Sequence, residues 1–351
     1  MTPPTTALRR AAIHHAFFEA PDVAAAVERL GFVQADPIRA PARAQDLILR
    51  QRVPGYQVGD LERRYPDEGL DEGMFYAYGF VPSDTWPLLQ SRRPDGLDEL
   101  EAKVLAAVRD AGPTHPDDVA ELGGARRRNA WGGYSRAAKL ALEALHRRGL
   151  LRVAHRAQGV RCYAAADDYD PHPPTERYQR LVTLAAQVLG PLPFRSLRSL
   201  AAGLRRRVPE IRDHVGQLRA LVAAGALVQD GDWIWPAGLS MRDDAPARVR
   251  LLAPFDPLVW DRGRFERFWG WGYRFEAYTP KDKRVRGYYA MPLLYRDGVI
   301  GWANLSAQGE TLRVEVGFED ARPSEAAFDR LLEEEAQAMA RFLGLEAVAW
   351  A

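Results

Sequence analysis

Residues 135–164 read SRAAKLALEALHRRGLLRVAHRAQGVRCYA, and this stretch guides the interpretation of the rest of the chain. Leucines at helical spacing predict a helix over Ser135–Arg148, which Gly149 would end. Leu150–Ala154 and Val160–Ala164 then alternate as two short strands would, joined by residues 155–159. The stretch therefore predicts a helix followed by a β-hairpin.

Two further helices are predicted just before this stretch. Apolar residues recur at helical spacing over Leu97–Val108, Gly112-Pro113 breaks that pattern, and Thr114–Leu122 is predicted as a short second helix. Three helices followed by a two-stranded ribbon are the element order of a winged helix. The third helix of such helix-turn-helix units usually lies in a groove of DNA.

The same order of elements returns roughly seventy residues later, which indicates a repeated architecture. The predicted elements of this second copy are helices over Thr175–Leu189, Leu197–Arg207 and Pro209–Ala224, and a hairpin of Ala226–Gln229 with Asp232–Trp235. The N-terminal region would fit a third, degenerate copy, with helices over Leu8–Phe17, Asp22–Leu30 and Pro41–Gln51 and an aromatic-rich segment, strand or irregular, over Met74–Val81.

The last hundred or so residues change character and are rich in strand patterns. Strands are predicted over Val249–Leu252, Arg286–Leu294, Val299–Leu305 and Leu312–Val316, with a closing helix over Glu325–Phe342. We therefore predict an α+β protein of tandem winged-helix (helix-turn-helix) units with a C-terminal mixed sheet and helix. The predicted units are 1–95, carrying the motif described below, 96–170 and 171–246 as winged helices, and 247–351.

Composition excludes several classes of protein. The chain has 351 residues, 47% hydrophobic and 27% charged, which is ordinary for globular domains. The single cysteine, Cys162, excludes a disulfide framework and a cysteine-ligated cluster. There is no apolar run long enough to span a membrane and no apolar signal core over Met1–Arg10, so a cytoplasmic protein is expected.

Charge is segregated although the net charge is only +1. Glu121–Arg161 carries ten basic and two acidic residues, and Arg195–Arg207 carries five basic residues and no acid. Glu310–Glu335 has nine acids against three arginines. Such blocks favour the binding of a polyanion to one face of the protein. However, 44 of the 48 basic residues are Arg, and a GC-rich genome would also produce that bias.

Common catalytic motifs are missing from the sequence. It contains no phosphate-binding Gly-x-x-x-x-Gly-Lys loop, no dinucleotide fingerprint, no His-Glu-x-x-His and no Gly-x-Ser-x-Gly. No two of the seven histidines have a convincing metal-ligand spacing. We therefore expect neither a metal nor a cofactor.

Gln34 and Asp36 form the most informative polar pair. They lie two residues apart in an extended segment, so both side chains face the same side. The Gln34 amide would hold a water molecule while the Asp36 carboxylate accepts its proton, which is a way to direct water at an electrophilic carbon. In the alternative interpretation, Asp36 is simply an acidic residue in a turn before Pro37. A Gln-x-Asp tripeptide is expected about once by chance in a chain of this length.

Longer blocks resemble one family. The stretch LGFVQADPI (30–38) is similar to the winged-helix DNA glycosylase family of the AlkZ and YcaQ type. So are LLAPFDPLVWDR (251–262) and YTP (278–280), followed by GYYAMP (287–292). The resemblance implies tandem winged helices around a basic concave surface. It also implies hydrolytic removal of alkylated bases, such as N7-alkylguanine, and in some members the unhooking of interstrand crosslinks.

Within that family the catalytic motif is Gln-x-Gln in one branch and Gln-x-Asp in the other, and Gln34 and Asp36 match the second. The chain departs from the family where many members have a histidine after Arg-Ala, since Gln45-Asp46 follows Arg43-Ala44 here. A cationic N7-alkylguanine leaves without protonation. A carboxylate that activates water and stabilises positive charge on the sugar is then sufficient, and the product is an abasic site.

DNA contacts are assigned to basic residues near the motif and in the basic blocks. They are Arg39, Arg43, Arg126, Arg127, Arg128, Arg136, Arg205, Arg206, Lys281, Lys283 and Arg284. The last three are expected in a basic hairpin between two strands. The tryptophans near residues 260–271 are expected in the core, and Asp256 and Asp261 in structural hydrogen bonds.

The predicted protein is a monomeric, monofunctional DNA repair glycosylase that acts on duplex DNA with alkylated bases in the cytoplasm, beside the nucleoid. The alternative from a different class is a winged-helix DNA-binding protein or transcriptional regulator without catalysis. Asp36 discriminates between the two, because a carboxylate facing DNA weakens binding by repulsion and has no purpose in a pure binder.

Overall fold

The computed structural model describes residues 4–90, 94–123, 125–128, 133–169, 172–242 and 244–351. Within these ranges, no helix combines the length and the apolar character that crossing a membrane requires. The fold is α+β, as predicted.

The N-terminal region consists of five helices and a three-stranded sheet. These elements are α1 (Thr5–Ala16), α2 (Val23–Leu30), β1 (Val33–Gln34), α3 (Ala44–Leu49), α4 (Asp60–Arg64), β2 (Leu70–Met74), β3 (Tyr78–Pro82) and α5 (Trp86–Leu89). Asp22 caps α2 by accepting a 2.8 Å hydrogen bond from the Ala25 N–H, and Gly31 ends it at φ +74°. The predicted aromatic-rich segment is split between β2 and β3, which form an antiparallel hairpin.

The second region runs through a set of helices and paired strands. They are α6 (Glu99–Ala111), β4 (Arg126–Arg128), β5 (Tyr134–Arg136), α7 (Ala137–Arg147), β6 (Leu151–Ala157) and β7 (Val160–Ala165). The stretch quoted first thus forms the predicted helix and hairpin. The short helix predicted over Thr114–Leu122 is wrong. Only a 3-10 turn forms at Ala120–Gly123, because the Thr114 backbone pairs with Tyr163 in β7 instead.

The third region repeats part of this order. Its elements are α8 (Pro174–Leu189), β8 (Leu192–Pro193), α9 (Phe194–Leu204), α10 (His214–Ala223), β9 (Leu227–Asp230) and β10 (Trp233–Pro236). The hairpin is present where it was predicted. The predicted helix start at Pro209 is wrong, since Asp213 caps the helix by accepting a 2.8 Å hydrogen bond from the Gly216 N–H.

The C-terminal region is a five-stranded sheet with helices. It contains β11 (Val249–Leu251), α11 (Pro257–Trp260), α12 (Arg262–Trp269), β12 (Met291–Tyr295), β13 (Gly298–Gln308), β14 (Thr311–Phe318), α13 (Ala326–Phe342) and β15 (Ala347–Trp350). The strands follow one another in sequence order, and only the last pair is parallel. The strand predicted to begin at Arg286 begins at Met291, because the Glu276 carboxylate accepts the Arg286 N–H at 2.8 Å.

Apolar packing joins regions that are far apart in sequence. One core combines side chains of α2, α3 and β3 with those of the C-terminal sheet and α13. The second region has a separate core between α6, α7 and the hairpin. The four-unit division and the winged-helix assignment stay predictions. The proposed boundary at residues 170 and 171 lies outside the described residues.

Ion pairs attach the second region to the N-terminal hairpin. Glu72, fully buried on β2, accepts hydrogen bonds of 2.7 and 2.6 Å from the Arg156 guanidinium and one of 2.9 Å from the Tyr78 hydroxyl. Burial alone would raise the pKa of Glu72, but the contacts with Arg156 outweigh it and lower the pKa. The carboxylate therefore stays charged and holds the two regions together.

A buried pair, Arg52 with Asp256, joins the N-terminal region to the C-terminal one. Both side chains are inaccessible to solvent, and two hydrogen bonds of 2.9 and 3.2 Å connect them. Arg52 also donates to the carbonyls of Ala16 and Ile48. Asp256 additionally accepts the Leu258 N–H at 3.0 Å and so caps α11. The predicted structural role of Asp256 is therefore confirmed.

Replacing Arg52 with methionine should destabilise the protein by about 3–5 kcal/mol, because Asp256 would remain buried without its partner. The measurement is chemical denaturation. Arg330→Met is the matched control, since Arg330 pairs with Glu334 while both are more than half exposed, and its loss should cost less than about 1 kcal/mol. Equal effects of the two substitutions would contradict the role given to the buried pair.

Candidate functional site

The Gln-x-Asp segment is held at the edge of the N-terminal sheet. Val33 and Gln34 pair with Phe80 and Gly79 of β3, and the Ala35 N–H donates to the Tyr78 carbonyl at 2.9 Å. The chain leaves the sheet at Asp36, because Pro37 has no N–H with which to continue the pairing. Pro37 and Arg39 are exposed while Gln34 and Asp36 are half-buried, so the segment lies at the surface with its polar pair partly covered.

Gln34 is oriented by a tryptophan from the C-terminal region. Its side-chain oxygen accepts a 3.0 Å hydrogen bond from the indole N–H of Trp260, the last residue of α11. The Trp260 ring packs against Tyr76 with ring centres 4.6 Å apart. Because the Gln34 oxygen is occupied, its amide NH₂ is the group left to hold a ligand.

Asp36 keeps one carboxylate oxygen available. The other, Oδ1, accepts the Ile38 N–H at 2.9 Å, and Oδ2 has no hydrogen bond within the described part of the chain. Burial raises the pKa of Asp36, and the bond from Ile38 opposes part of this rise. A carboxylate with a raised pKa and a free oxygen is suited to accept a proton.

Gln45, where the chain departs from the family pattern, holds the backbone of Asp36. Gln45 is 2% exposed, and its side-chain oxygen accepts the Asp36 N–H at 3.2 Å. Its amide nitrogen donates to Glu62 at 3.3 Å. The adjacent Asp46 is structural, since it accepts bonds from the Tyr56 hydroxyl and the Gly59 N–H. The departure therefore replaces a histidine with a residue that bonds directly to the motif.

The two arginines nearest the motif are placed differently. Arg39 is exposed, three residues beyond Asp36. Arg43 is ion-paired with Glu62 and mostly buried. Arg39 is therefore the one that presents its charge to solvent beside the motif.

The arginine block of the second region lies on a small two-stranded ribbon. Arg126–Arg128 form β4, paired with β5, and all three residues are exposed. The sequence predicts that these three residues precede the helix and that Arg136 lies on it. Arg136 instead ends β5, immediately before α7, and contacts Asp117 at 3.0 Å. The ribbon presents three adjacent cationic side chains to solvent.

The third region contributes arginines just beyond the end of α9. Arg206 is exposed, whereas the Arg205 side chain is half-buried and donates to the Ile211 carbonyl at 2.9 Å. Arg207 is also half-buried, and burial lowers its pKa to about 10. Of Arg205, Arg206 and Arg207, Arg206 is therefore the one exposed to solvent.

The basic segment near residue 281 is a loop and not the predicted hairpin between two strands. Lys281–Lys283 form a 3-10 turn between α12 and β12. Glu276, 3% exposed, fixes the loop by accepting backbone N–H groups of Val285, Arg286 and Gly287. These bonds compete with the regular pairing that a hairpin would need.

This fixed loop presents both charged and apolar side chains to solvent. Lys281 and Lys283 are exposed, and the guanidinium of Arg284 lies 5.0 Å from the centre of the Tyr288 ring. Tyr278 is 81% exposed, whereas Tyr289 is buried in the core and lies outside the strands. The surface of the loop thus combines positive charge with exposed aromatic rings.

Sequence reasoning missed the side chains that complete the site. Trp260 was expected in the core, but its half-buried indole bonds Gln34 across 226 positions of sequence. The Arg52–Asp256 pair and the cap at Asp256 place Trp260 there. The only sequence signal for this contact is that both partners lie in stretches with the family resemblance.

Among the residues that the structure describes, no group of three or more His, Cys, Asp and Glu side chains could hold a metal ion. His146 is buried, and its ring contacts the Leu151 carbonyl at 3.0 Å. Burial lowers its pKa to about 4, so it is neutral at ordinary pH. This histidine has a packing role, in line with the sequence interpretation.

Comparison with known proteins places this chain in a family of DNA repair enzymes. The sequence model of the AlkZ-like DNA glycosylases matches residues 27–342, and the chain belongs to that family. Among solved structures, the DNA glycosylase AlkZ of Streptomyces sahachiroi is similar at a TM-score of 0.67 and 17% identity, and the match covers 100% of each chain. At this identity the likeness shows a shared fold.

Replacing Trp260 with phenylalanine should slow base excision by about 10- to 100-fold, since the anchor of Gln34 is lost and a small misplacement is costly in catalysis. Single-turnover kinetics of base excision from duplex DNA measure the effect. Trp269→Phe is the matched control, because the Trp269 indole donates to the Asp297 carbonyl at 3.0 Å in a different part of the C-terminal region. A Trp260→Phe rate equal to that of the control would contradict the role of this anchor.

Proposed function

We propose that the protein is a monofunctional DNA glycosylase that hydrolyses the N-glycosidic bond of cationic alkylpurines of the N7-alkylguanine type and leaves an abasic site. The observation that carries this proposal is the Gln34–Asp36 pair, with one oriented amide and one free carboxylate oxygen at the surface. Family membership supplies the reaction class. The choice of lesion follows from the chemistry of the pair.

Water is the nucleophile in this mechanism. The Gln34 NH₂ orients a water molecule, Asp36 accepts its proton, and the oxygen forms a bond to the sugar C1′ as the C1′–N9 bond breaks. The electrons of that bond go to the purine, which neutralises its positive charge, so no general acid is required. The Asp36 carboxylate also stabilises positive charge that develops on the sugar.

A Schiff-base lyase step is not part of the proposal. The chain has only four lysines, Lys103, Lys139, Lys281 and Lys283, and none lies near the motif in sequence. Because such a step needs an amine at the sugar, hydrolysis to an abasic site is the expected end point.

We propose that DNA lies along the exposed cations of the four predicted units. Arg39, Arg126–Arg128, Arg206, Lys281 and Lys283 are exposed, and their phosphate contacts would fix the duplex without reading its sequence. Arg43, Arg136, Arg205 and Arg284 already hold protein partners and would contribute less. The expected substrate complex is one monomer on duplex DNA, in the cytoplasm beside the nucleoid.

Interstrand crosslinks are a second proposed substrate. A base tied to the opposite strand cannot be fully extruded, so its removal needs an open site. The exposure of Pro37 and Arg39 beside the half-buried Asp36 supports such access.

The proposal is tested with purified protein on duplex DNA containing N7-methylguanine, followed by mild alkali to cut abasic sites. Wild type should produce cuts, whereas Asp36→Asn should lower the rate by about 10²–10⁴-fold and keep or tighten binding, because the carboxylate that repels phosphate is gone. Gln34→Ala should also slow excision. Asp320→Asn, an exposed acid-to-amide change in the turn after β14, is the control.

The wild-type protein would instead fit a non-catalytic regulator if it bound DNA but produced no cuts. This outcome requires that DNA with bulkier or crosslinked lesions is not cut either. An Asp36→Asn variant that matches wild type in rate and affinity would make Asp36 a structural turn residue. Cuts that persist in every variant would place the chemistry elsewhere.

Arg127→Ala should weaken the binding of duplex DNA, since one phosphate contact is lost. The slope of the logarithm of DNA affinity against the logarithm of salt concentration should become about 0.9 shallower. Fluorescence anisotropy over a salt series measures this slope. Arg313→Ala is the matched control, because Arg313 is also an exposed strand arginine but lies on β14 of the C-terminal sheet. Identical slopes for the two variants would remove the β4 ribbon from the DNA interface.

A further inference from the structure

Tyr289 holds a buried hydroxyl that the mechanism above does not use. The residue is 4% exposed, and its hydroxyl oxygen has no hydrogen-bond partner within the described ranges. An unpaired buried hydroxyl lowers stability, and phenylalanine would fill nearly the same volume without that loss. A polar group kept at such a position calls for a partner in another state of the molecule.

The position of Tyr289 makes Asp36 the candidate partner. Tyr289 belongs to the same apolar core as Val33, and Ala35 and Ile38, on either side of Asp36, pack at the border of that core. The Tyr289 ring also packs against Phe275 with ring centres 5.4 Å apart. Tyr289 and the residues that flank Asp36 therefore pack on the same core.

Electrostatics support this proximity. Burial raises the pKa of Tyr289 well above its usual range, and the negative charge of Asp36 is the next cause. The hydroxyl therefore remains protonated and can only donate to an anion. No hydrogen bond joins the two groups in the free protein, and Asp36 has an oxygen to accept one.

The other groups around the pair are already committed or exposed. The Tyr273 hydroxyl donates to the Ala290 carbonyl at 2.7 Å, and Tyr288 is 43% exposed. On the opposite side, Gln45 bonds the Asp36 N–H and is linked through Glu62 to Arg43. Arg39 points its charge to solvent and would be taken up by phosphate. Tyr289 is thus the buried donor left for the carboxylate.

We propose that the Tyr289 hydroxyl donates a hydrogen bond to the free oxygen of Asp36 once DNA covers the site, which makes Tyr289 a positioning residue for the catalytic carboxylate. The inference rests on the proposed function, because it assumes that Asp36 acts as an anion. DNA removes bulk water from the Asp36 oxygen, so the hydrolytic water and the Tyr289 hydroxyl are the donors left to it. Asp36 lies just beyond the strand pairing of Val33 and Gln34, so a shift of its segment breaks neither of those pairs.

The test compares wild type with Tyr289→Phe. Carbon-13 NMR of the Asp36 carboxyl, assigned with Asp36→Asn, gives its pKa in the free protein and in a complex with duplex DNA carrying an abasic-site analogue. In the complex, the pKa should be about one unit higher in Tyr289→Phe than in wild type, since a hydrogen bond to the charged form is missing. Equal pKa values in the two complexes would overturn the inference.

Kinetics provide a second readout. Excision needs the ionised form of Asp36, so its rate falls as pH drops through the Asp36 pKa. In Tyr289→Phe this loss should begin about one pH unit higher, which is roughly a tenfold slower rate on the acid side. The rates should converge at high pH. Superimposable profiles would contradict a positioning role while leaving the glycosylase proposal intact.

Stability distinguishes this role from a structural one. Tyr289→Phe should keep or raise the thermal midpoint. Tyr178→Phe is the control, since the buried Tyr178 hydroxyl donates to the Ala201 carbonyl at 2.8 Å, and its loss should lower the midpoint without changing the Asp36 pKa. A wild type without excision activity would refute the proposed function, while the NMR comparison would still decide whether Tyr289 and Asp36 are bonded.

Discussion

The buried pair of Arg52 and Asp256 is the contact on which the site depends. Two charges removed from solvent are tolerated only when their hydrogen bonds are satisfied, and here each group makes further bonds to backbone. Asp256 caps the short helix that ends at Trp260, and Trp260 bonds Gln34. One ion pair between distant segments therefore anchors the helix whose last residue bonds the Gln34 amide.

Different regions of the chain contribute the side chains of the candidate site around this contact. The N-terminal sheet supplies the Gln-x-Asp segment, α3 supplies Gln45, and the C-terminal region supplies Trp260 together with the proposed positioning residue Tyr289. Exposed cations lie on separate elements, namely the β4 ribbon, the end of α9 and the loop fixed by Glu276. This division places the proposed chemistry beside the core and the proposed DNA contacts on outlying elements.

Much of the local structure followed from sequence because its causes are local. Asp22 and Gly31 delimit α2, and leucine spacing locates α7 and its hairpin. Two of the wrong predictions involve competition from groups outside the predicted element. The Thr114 backbone pairs with β7 instead of forming a helix, and Glu276 takes the N–H groups that a strand from Arg286 would have used. Helix and strand propensities describe single residues and do not account for hydrogen-bond partners from other segments.

By itself, the sequence determined the α+β class, the pair Gln34 and Asp36 as candidate catalytic groups, and the family, since these are set by residue types and short spacings. Tertiary structure alone decided which oxygen of Asp36 is free, that Gln45 supports it, and which of the predicted cations are exposed. It also brought Trp260 to Gln34 across 226 positions. The reason is physical: hydrogen bonding and burial depend on groups that meet only after the chain has folded, whereas spacing along the chain is fixed before folding.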